Sequence, residues 1–226
     1  MNKIEVLRQS ISNIVNILAD KELTVTQHGD KAYVASDPIT GAPISVNIPM
    51  LPDDASDELI NAIHGFIDHE VAHLLYTEFT YVIQATKEGI QQYHNIVEDA
   101  FIEVQMINRF KGSAYNLNNV GEFVTEKYTD PAFAEKLKEG DKAGIFKVLF
   151  NPAVRAWSGR RIYQDYMEDK WEHISKFVDI IGEDLIQRMK YMDSTKETYL
   201  IVKEIVKRLN SEKDKDKGSD KKKRPD

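Results

Sequence analysis

The chain contains no cysteine. That excludes a disulfide framework and any metal site built on thiolates, and it accords with a reducing compartment. No apolar run is long enough to span a bilayer. The N-terminus, Met1-Asn2-Lys3-Ile4-Glu5, lacks the apolar core of a secretory signal. We therefore expect a cytoplasmic protein with no membrane partner. Acidic groups outnumber basic ones over most of the chain. The formal net charge is −7, yet residues 211–226 hold seven Lys and Arg against five Asp and Glu, which leaves −9 on the rest. An acidic body offers no electrostatic footprint for nucleic acid, and none is expected as a partner. The segment 211–226 also lacks the apolar side chains needed for a core. It is expected to be a disordered charged tail or linker after one domain over 1–210.

What is present centres on Asp68-His69-Glu70-Val71-Ala72-His73. This contains H-E-x-x-H, the zinc signature of metallopeptidases. On a helix, residues four apart lie on one face, so His69 and His73 can aim at one metal ion. Glu70 is poorly placed to chelate with both. It can reach a water in the metal's open position, as a general base would. Phe66, Ile67, Val71, Leu74, Leu75 and Phe79 surround the motif, so the helix reads as buried. Buried imidazoles and carboxylates must be paired or bind metal. The competing reading is a structural helix whose histidines are satisfied by hydrogen bonds.

The remaining chain reads in order as follows. Ile4, Leu7, Ile11, Ile14, Val15 and Leu18 give an amphipathic helix over 3–19. Residues 23–26 and 32–35 alternate as strands with a turn at His28-Gly29-Asp30, and 44–49 reads as a third strand. A curled hairpin plus one strand is expected, with 44–48 as the edge beside the motif. Ser56, followed by Asp57 and Glu58, caps a helix from about 57 through 79. The next helix runs from about 87 to 109.

A site of this type needs one more protein ligand. Glu98 lies 25 positions after His73, about the separation found in glutamate-type zinc peptidases, and is the first choice. Asp99 is an alternate, because Asp99 and Glu103 form an i,i+4 pair that reads as a ligand and its orienting acid. His94, one turn before Glu98, is a third candidate.

The segments 65–79 and Asn95-Ile96-Val97-Glu98-Asp99-Ala100-Phe101-Ile102-Glu103 resemble the metallopeptidase-like domain of the cobaltochelatase CobT subunit family. Related bacterial and bacteriophage domains occur beside von Willebrand factor A modules. In that family a "DHEAAH…TDF" helix is followed by an "EDxRIE" helix. Ile44 to Pro52 is similar to its "I-x-L-P-x-L-P" approach strand, and Ser194-Thr195-Lys196-Glu197 to its closing "S-T-x-E" helix. Phe101 stands where the family has arginine, and no von Willebrand module is recognisable. The resemblance implies zinc (Zn2+) held by His69, His73 and Glu98, with Glu70 as catalytic base. It also implies that such domains can act as assembly modules for AAA+ motors.

Beyond Lys111 the signals weaken. Residues 112–119 read as loop, and 121–139 and 141–149 as helices, with a polar flexible break at 157–161. Helices are expected over about 163–180 and 184–191. Ser194 and Glu197 form a capping box that opens a last helix to about Leu209. Tyr163, Tyr166, Arg155, Arg160 and Arg161 are candidate donors to an oxyanion, with nothing to choose among them.

The expected fold is α+β and mostly helical, a zincin-like metallopeptidase domain whose small N-terminal sheet packs on the HExxH helix. The expected function is a zinc-dependent hydrolase of a peptide or protein substrate. The alternative is a metal-binding scaffold or regulatory module that partners an AAA+ ATPase or a von Willebrand factor A-type protein without peptidase activity.

Overall fold

The computed structural model describes residues 3–20 and 22–221, with side chains up to residue 212. Helix dominates the described residues beside one three-stranded sheet, so the class is α+β and mostly helical. Helix α1, Lys3–Ala19, buries Ile4, Ile11, Val15 and Ala19 along one stripe, as their spacing requires. Strands β1 (Thr24–Gln27), β2 (Tyr33–Ser36) and β3 (Pro43–Ile48) follow.

The strand order is β1-β3-β2, so β1 and β2 do not form the expected hairpin. β3 lies between them, parallel to β1 and antiparallel to β2. The physical reason is burial. Val46, Asn47 and Ile48 are buried, whereas β1 and β2 are four-residue, half-exposed strands suited to edges. The edge beside the motif is therefore β2, not 44–48. Asn47 pins the strand ends, because its side-chain amide donates to the carbonyls of His28 and Lys31 at 2.9 and 2.6 Å.

Helix α2, Asp57–Tyr76, carries the motif. Ser56 caps it by accepting from Leu59 N at 3.2 Å. It ends three residues before the sequence suggests, because Thr77 is extended (φ −83°, ψ 125°) and turns its hydroxyl inward. A separate helix α3, Phe79–Lys87, follows. Gly89, at φ 71°, makes the turn into α4, Gln91–Arg109.

The segment expected as loop is instead helix α5, Ser113–Val124. Its helicity comes from packing on α2 rather than from its own polar sequence. Gly65 allows the close approach. A Cβ there would meet the carbonyl of Asn116 and lie 2.6 Å from Val120 Cβ. Alanine would help the helix by less than 1 kcal/mol, but overpacking dominates. We expect Gly65→Ala to lose about 3 kcal/mol, read as a lower urea midpoint with unchanged slope. A loss below about 0.5 kcal/mol would show that the contact relaxes freely.

A π-helical turn, Thr125–Thr129, joins α5 to α6, Asp130–Glu139. Helix α7, Lys142–Trp157, runs past the expected end at 149 and through Pro152. Then come α8 (Arg161–Met167), α9 (Trp171–Ile181), α10 (Glu183–Lys190) and α11 (Thr195–Lys221). The backbone of α11 thus runs helical past Leu209 to Lys221. The rest of the expected tail, 222–226, lies outside the described residues. Among the described residues, no helix is long and apolar enough to cross a membrane.

Candidate metal centre

α2 and α4 pack together and bring the motif's face against the acidic segment. The His69 and His73 rings lie edge to face, with centroids 4.9 Å apart. Both turn Nε2 toward Asp99 Oδ1, at 3.7 Å from His69 and 3.3 Å from His73. These three atoms lie within 4.8 Å of one another, a spacing that one metal ion can bridge.

The other ring nitrogens are committed elsewhere. His69 Nδ1 donates to Glu103 Oε1 at 3.2 Å. His73 Nδ1 donates to Thr77 Oγ1 at 3.0 Å, because the Thr77 hydroxyl spends its own proton on Glu98 Oε1 at 2.9 Å. With Nδ1 protonated on both rings, Nε2 is the lone-pair nitrogen that points at Asp99.

Glu98, the first-choice ligand, faces three hydroxyls instead. Thr77 and Thr195 donate to Oε1, and Thr198 donates to Oε2 at 2.6 Å. Burial pushes its carboxyl up despite these bonds. The acid beside the imidazoles is the alternate, Asp99. Its Oδ2 is engaged by Asn95 at 3.2 Å and Arg155 at 3.4 Å, while Oδ1 is buried with no hydrogen-bond partner. The departure follows from helix geometry. Adjacent residues project about 100° apart, so one acid can face α2 while the next faces α11.

Glu103 anchors the far side. Arg155 Nη2 donates to it at 2.8 Å and Arg160 Nη1 at 2.5 Å. Burial opposes its charge, but Arg155, His69 and Arg160 hold its carboxyl far below the usual range. Arg155 and Arg160 thus sit behind Glu103 and do not line the cleft as oxyanion donors. The break expected at 157–161 contains Arg160, which is buried for this pairing. Tyr163 packs on these two guanidinia, Tyr166 donates to Asp130, and exposed Arg161 pairs with Asp165.

The charge balance favours a cation. Glu70, Glu98, Asp99 and Glu103 are all buried against two buried arginines. Burial alone would lower the His69 pKa, but Asp99, Glu103 and Glu70 raise it to about 9. Something positive is favoured at its Nε2, a proton or a metal ion. Burial pushes the Glu70 carboxyl up, and its Oε2 has no hydrogen-bond partner. The orphaned Asp99 oxygen and the two oriented imidazoles fit a divalent ion.

His69, Glu70 and His73 line a cleft of about 440 Å³ together with His94 and Glu98, and Asp99 lies behind the two imidazoles. Tyr33 and Val34 of β2 form one wall, and Phe79, Val82 and Ile83 of α3 another. Among the described residues, no Lys or Arg lines it.

His94 stands apart from the triad. It is buried, with Nε2 3.3 Å from Thr198 Oγ1, and burial lowers its pKa to about 4. The unfolded chain binds this proton below about 6.5, while the fold refuses it until about 4. Between those values the unfolded state holds more protons, so stability rises with pH through the window and is lost on acidification. The full effect is at most about 3 kcal/mol. Urea unfolding at pH 4.5 and 7.5 should show this slope in the native protein and a smaller one in His94→Gln. Equal slopes would remove His94 as its source.

Thr77, Thr195 and Thr198 carry no metal-site signal that sequence reasoning would detect, since single threonines are common caps and surface residues. Asp99 did have one, its i,i+4 relation to Glu103.

A family model described as cobalamin biosynthesis protein CobT matches residues 1–143, more than half of the 226-residue chain. The chain belongs to the CobT family. No curated protein and no solved structure matches it. The matched span holds α1 to α6 and all three triad residues. Arg155, Arg160, Thr195 and Thr198 come from beyond it. The match corrects one expectation. CobT is a cobalamin biosynthesis family, so the reading of the motif as the mark of a hydrolase or protease is withdrawn.

Proposed function

We propose that this CobT-family chain is the metal-binding component of a chelatase-type assembly that works with an AAA+ ATPase. The observation that carries this reading is the convergence of His69, His73 and Asp99 within the family-matched span. Two imidazoles and one carboxylate oxygen suit a first-row divalent ion, Zn2+ and Co2+ included. Bound there, the ion would supply a Lewis-acidic centre. Glu103 and Thr77 would orient the two rings, and Arg155 would hold Asp99 to one oxygen. The scaffold is zincin-like in a narrow sense, two histidines one turn apart on a helix with an acid on the helix packed against it. The ATPase partner follows from the resemblance to the cobaltochelatase subunit.

Elemental analysis of the purified protein should find about one equivalent of divalent metal. Mixing it with its AAA+ partner should change ATP turnover. Cleavage of a denatured protein substrate that vanishes in Glu70→Gln, with no effect on any ATPase, would overturn the proposal.

A further inference from the structure

A second pocket, of about 340 Å³, lies where α5, the π-helical turn and α8 meet. We propose that it receives a Lys or Arg side chain of a second polypeptide. Glu122, Glu126 and Asp130 line it at intervals of four, so they fall on one face, and all three are exposed. Ile162, Tyr163 and Tyr166 also line the pocket, and among the described residues no Lys or Arg does.

Tyr163 points to a ligand independently of the acids. It is 7% exposed, and its hydroxyl makes no hydrogen bond among the described residues. Its hydroxyl end rests on the Gly121 wall, where a Cβ would come within 2.6 Å. The Arg155 and Arg160 guanidinia lie 5.7 and 5.5 Å from its ring. The ring is buried while the oxygen is not fully enclosed, so the hydroxyl is open to bond a group entering the pocket.

The chemistry selects a cation with an apolar stem. The carboxylates attract the charge, while the tyrosine rings and Ile162 pack on methylenes. The nearby cations compete only weakly. Lys127 lies 3.6 Å from Glu126 and 3.8 Å from Glu58, in exposed pairs that contribute little. Lys170 sits 4.2 Å from the Tyr166 ring centroid and pairs with Asp169. The three acids do not draw together into a metal-holding group.

The test uses N-acetyl-L-arginine amide and N-acetyl-L-lysine amide as probes, with N-acetyl-norleucine amide as the neutral control and spermidine as a free amine. NMR amide shifts at Gly121, Thr125 and Tyr163 should saturate with the arginine or lysine probe, with a Kd on the order of 1 mM. Glu122→Gln with Glu126→Gln should weaken binding about tenfold, and Tyr163→Phe severalfold, with metal content unchanged in both. Equal shifts from the norleucine amide, shifts from spermidine alone, or binding that survives the double substitution would each overturn the proposal. None of these outcomes depends on the metal-centre reading.

Discussion

Arg155→Ala should destabilise the fold by about 3–5 kcal/mol, because it leaves buried carboxylates without their main countercharge. Arg155 is 5% exposed and reaches Glu103 through two nitrogens, Nε at 3.1 Å and Nη2 at 2.8 Å. It also donates to Asp99 and to the Asn151 side chain. Lysine would replace the charge but not the fork, so Arg155→Lys should recover only part of the loss. Pairing Arg155→Met with Glu103→Gln should recover more, since both ends of the pair then lose their charge. Urea unfolding of the metal-free variants measures each case. A loss below about 1 kcal/mol for Arg155→Ala would mean that Arg160 alone satisfies Glu103.

The second large effect is on metal affinity. Structural zinc sites bind with roughly 10–16 kcal/mol in total. Losing one of three protein ligands should therefore cost on the order of a hundredfold to ten-thousandfold in affinity. We expect that loss for His69→Ala, His73→Ala and Asp99→Ala. Glu98→Gln should cost less, within about 10–100-fold, because Glu98 is bonded to three threonine hydroxyls and is linked to His73 through that of Thr77. Competition against a chromophoric chelator, with Zn2+ and Co2+ in separate titrations, gives each constant. The reverse order, with Glu98→Gln abolishing binding and Asp99→Ala retaining it, would refute the assignment of the triad. Metal should also raise the unfolding midpoint of the native protein, since an ion bound only by the fold stabilises it in proportion to RT ln(1 + [L]/Kd).

The motif itself was legible because its spacing is local. His69 and His73 fall on one face of any helix, whatever packs on it. Periodicity likewise marked α1, and Ser56 marked the start of α2. The third acid was not legible to the same degree. Choosing between Glu98 and Asp99 depends on the roll of α4 about its axis. That roll is set by what packs on each side, the imidazoles of α2 on one and the threonines of α11 on the other.

Strand order was hidden for a similar reason. The three strands were visible, but parallel pairing of β1 with β3 is a long-range choice driven by burial of Val46 and Ile48. Helix α5 was missed because a polar segment gains its helicity from the groove that Gly65 leaves on α2.

By itself the sequence determined a helical protein without thiol chemistry and two histidines placed to share one metal ion. Its resemblance to CobT came with those same residues. Tertiary structure decided which carboxylate joins the histidines, which nitrogens they present, and how the charge is balanced. Those depend on groups 34 to 100 positions apart in the chain, such as His69 with Glu103 and Glu98 with Thr198. Local spacing fixes a helix face, whereas contacts at such separations exist only once the core has formed.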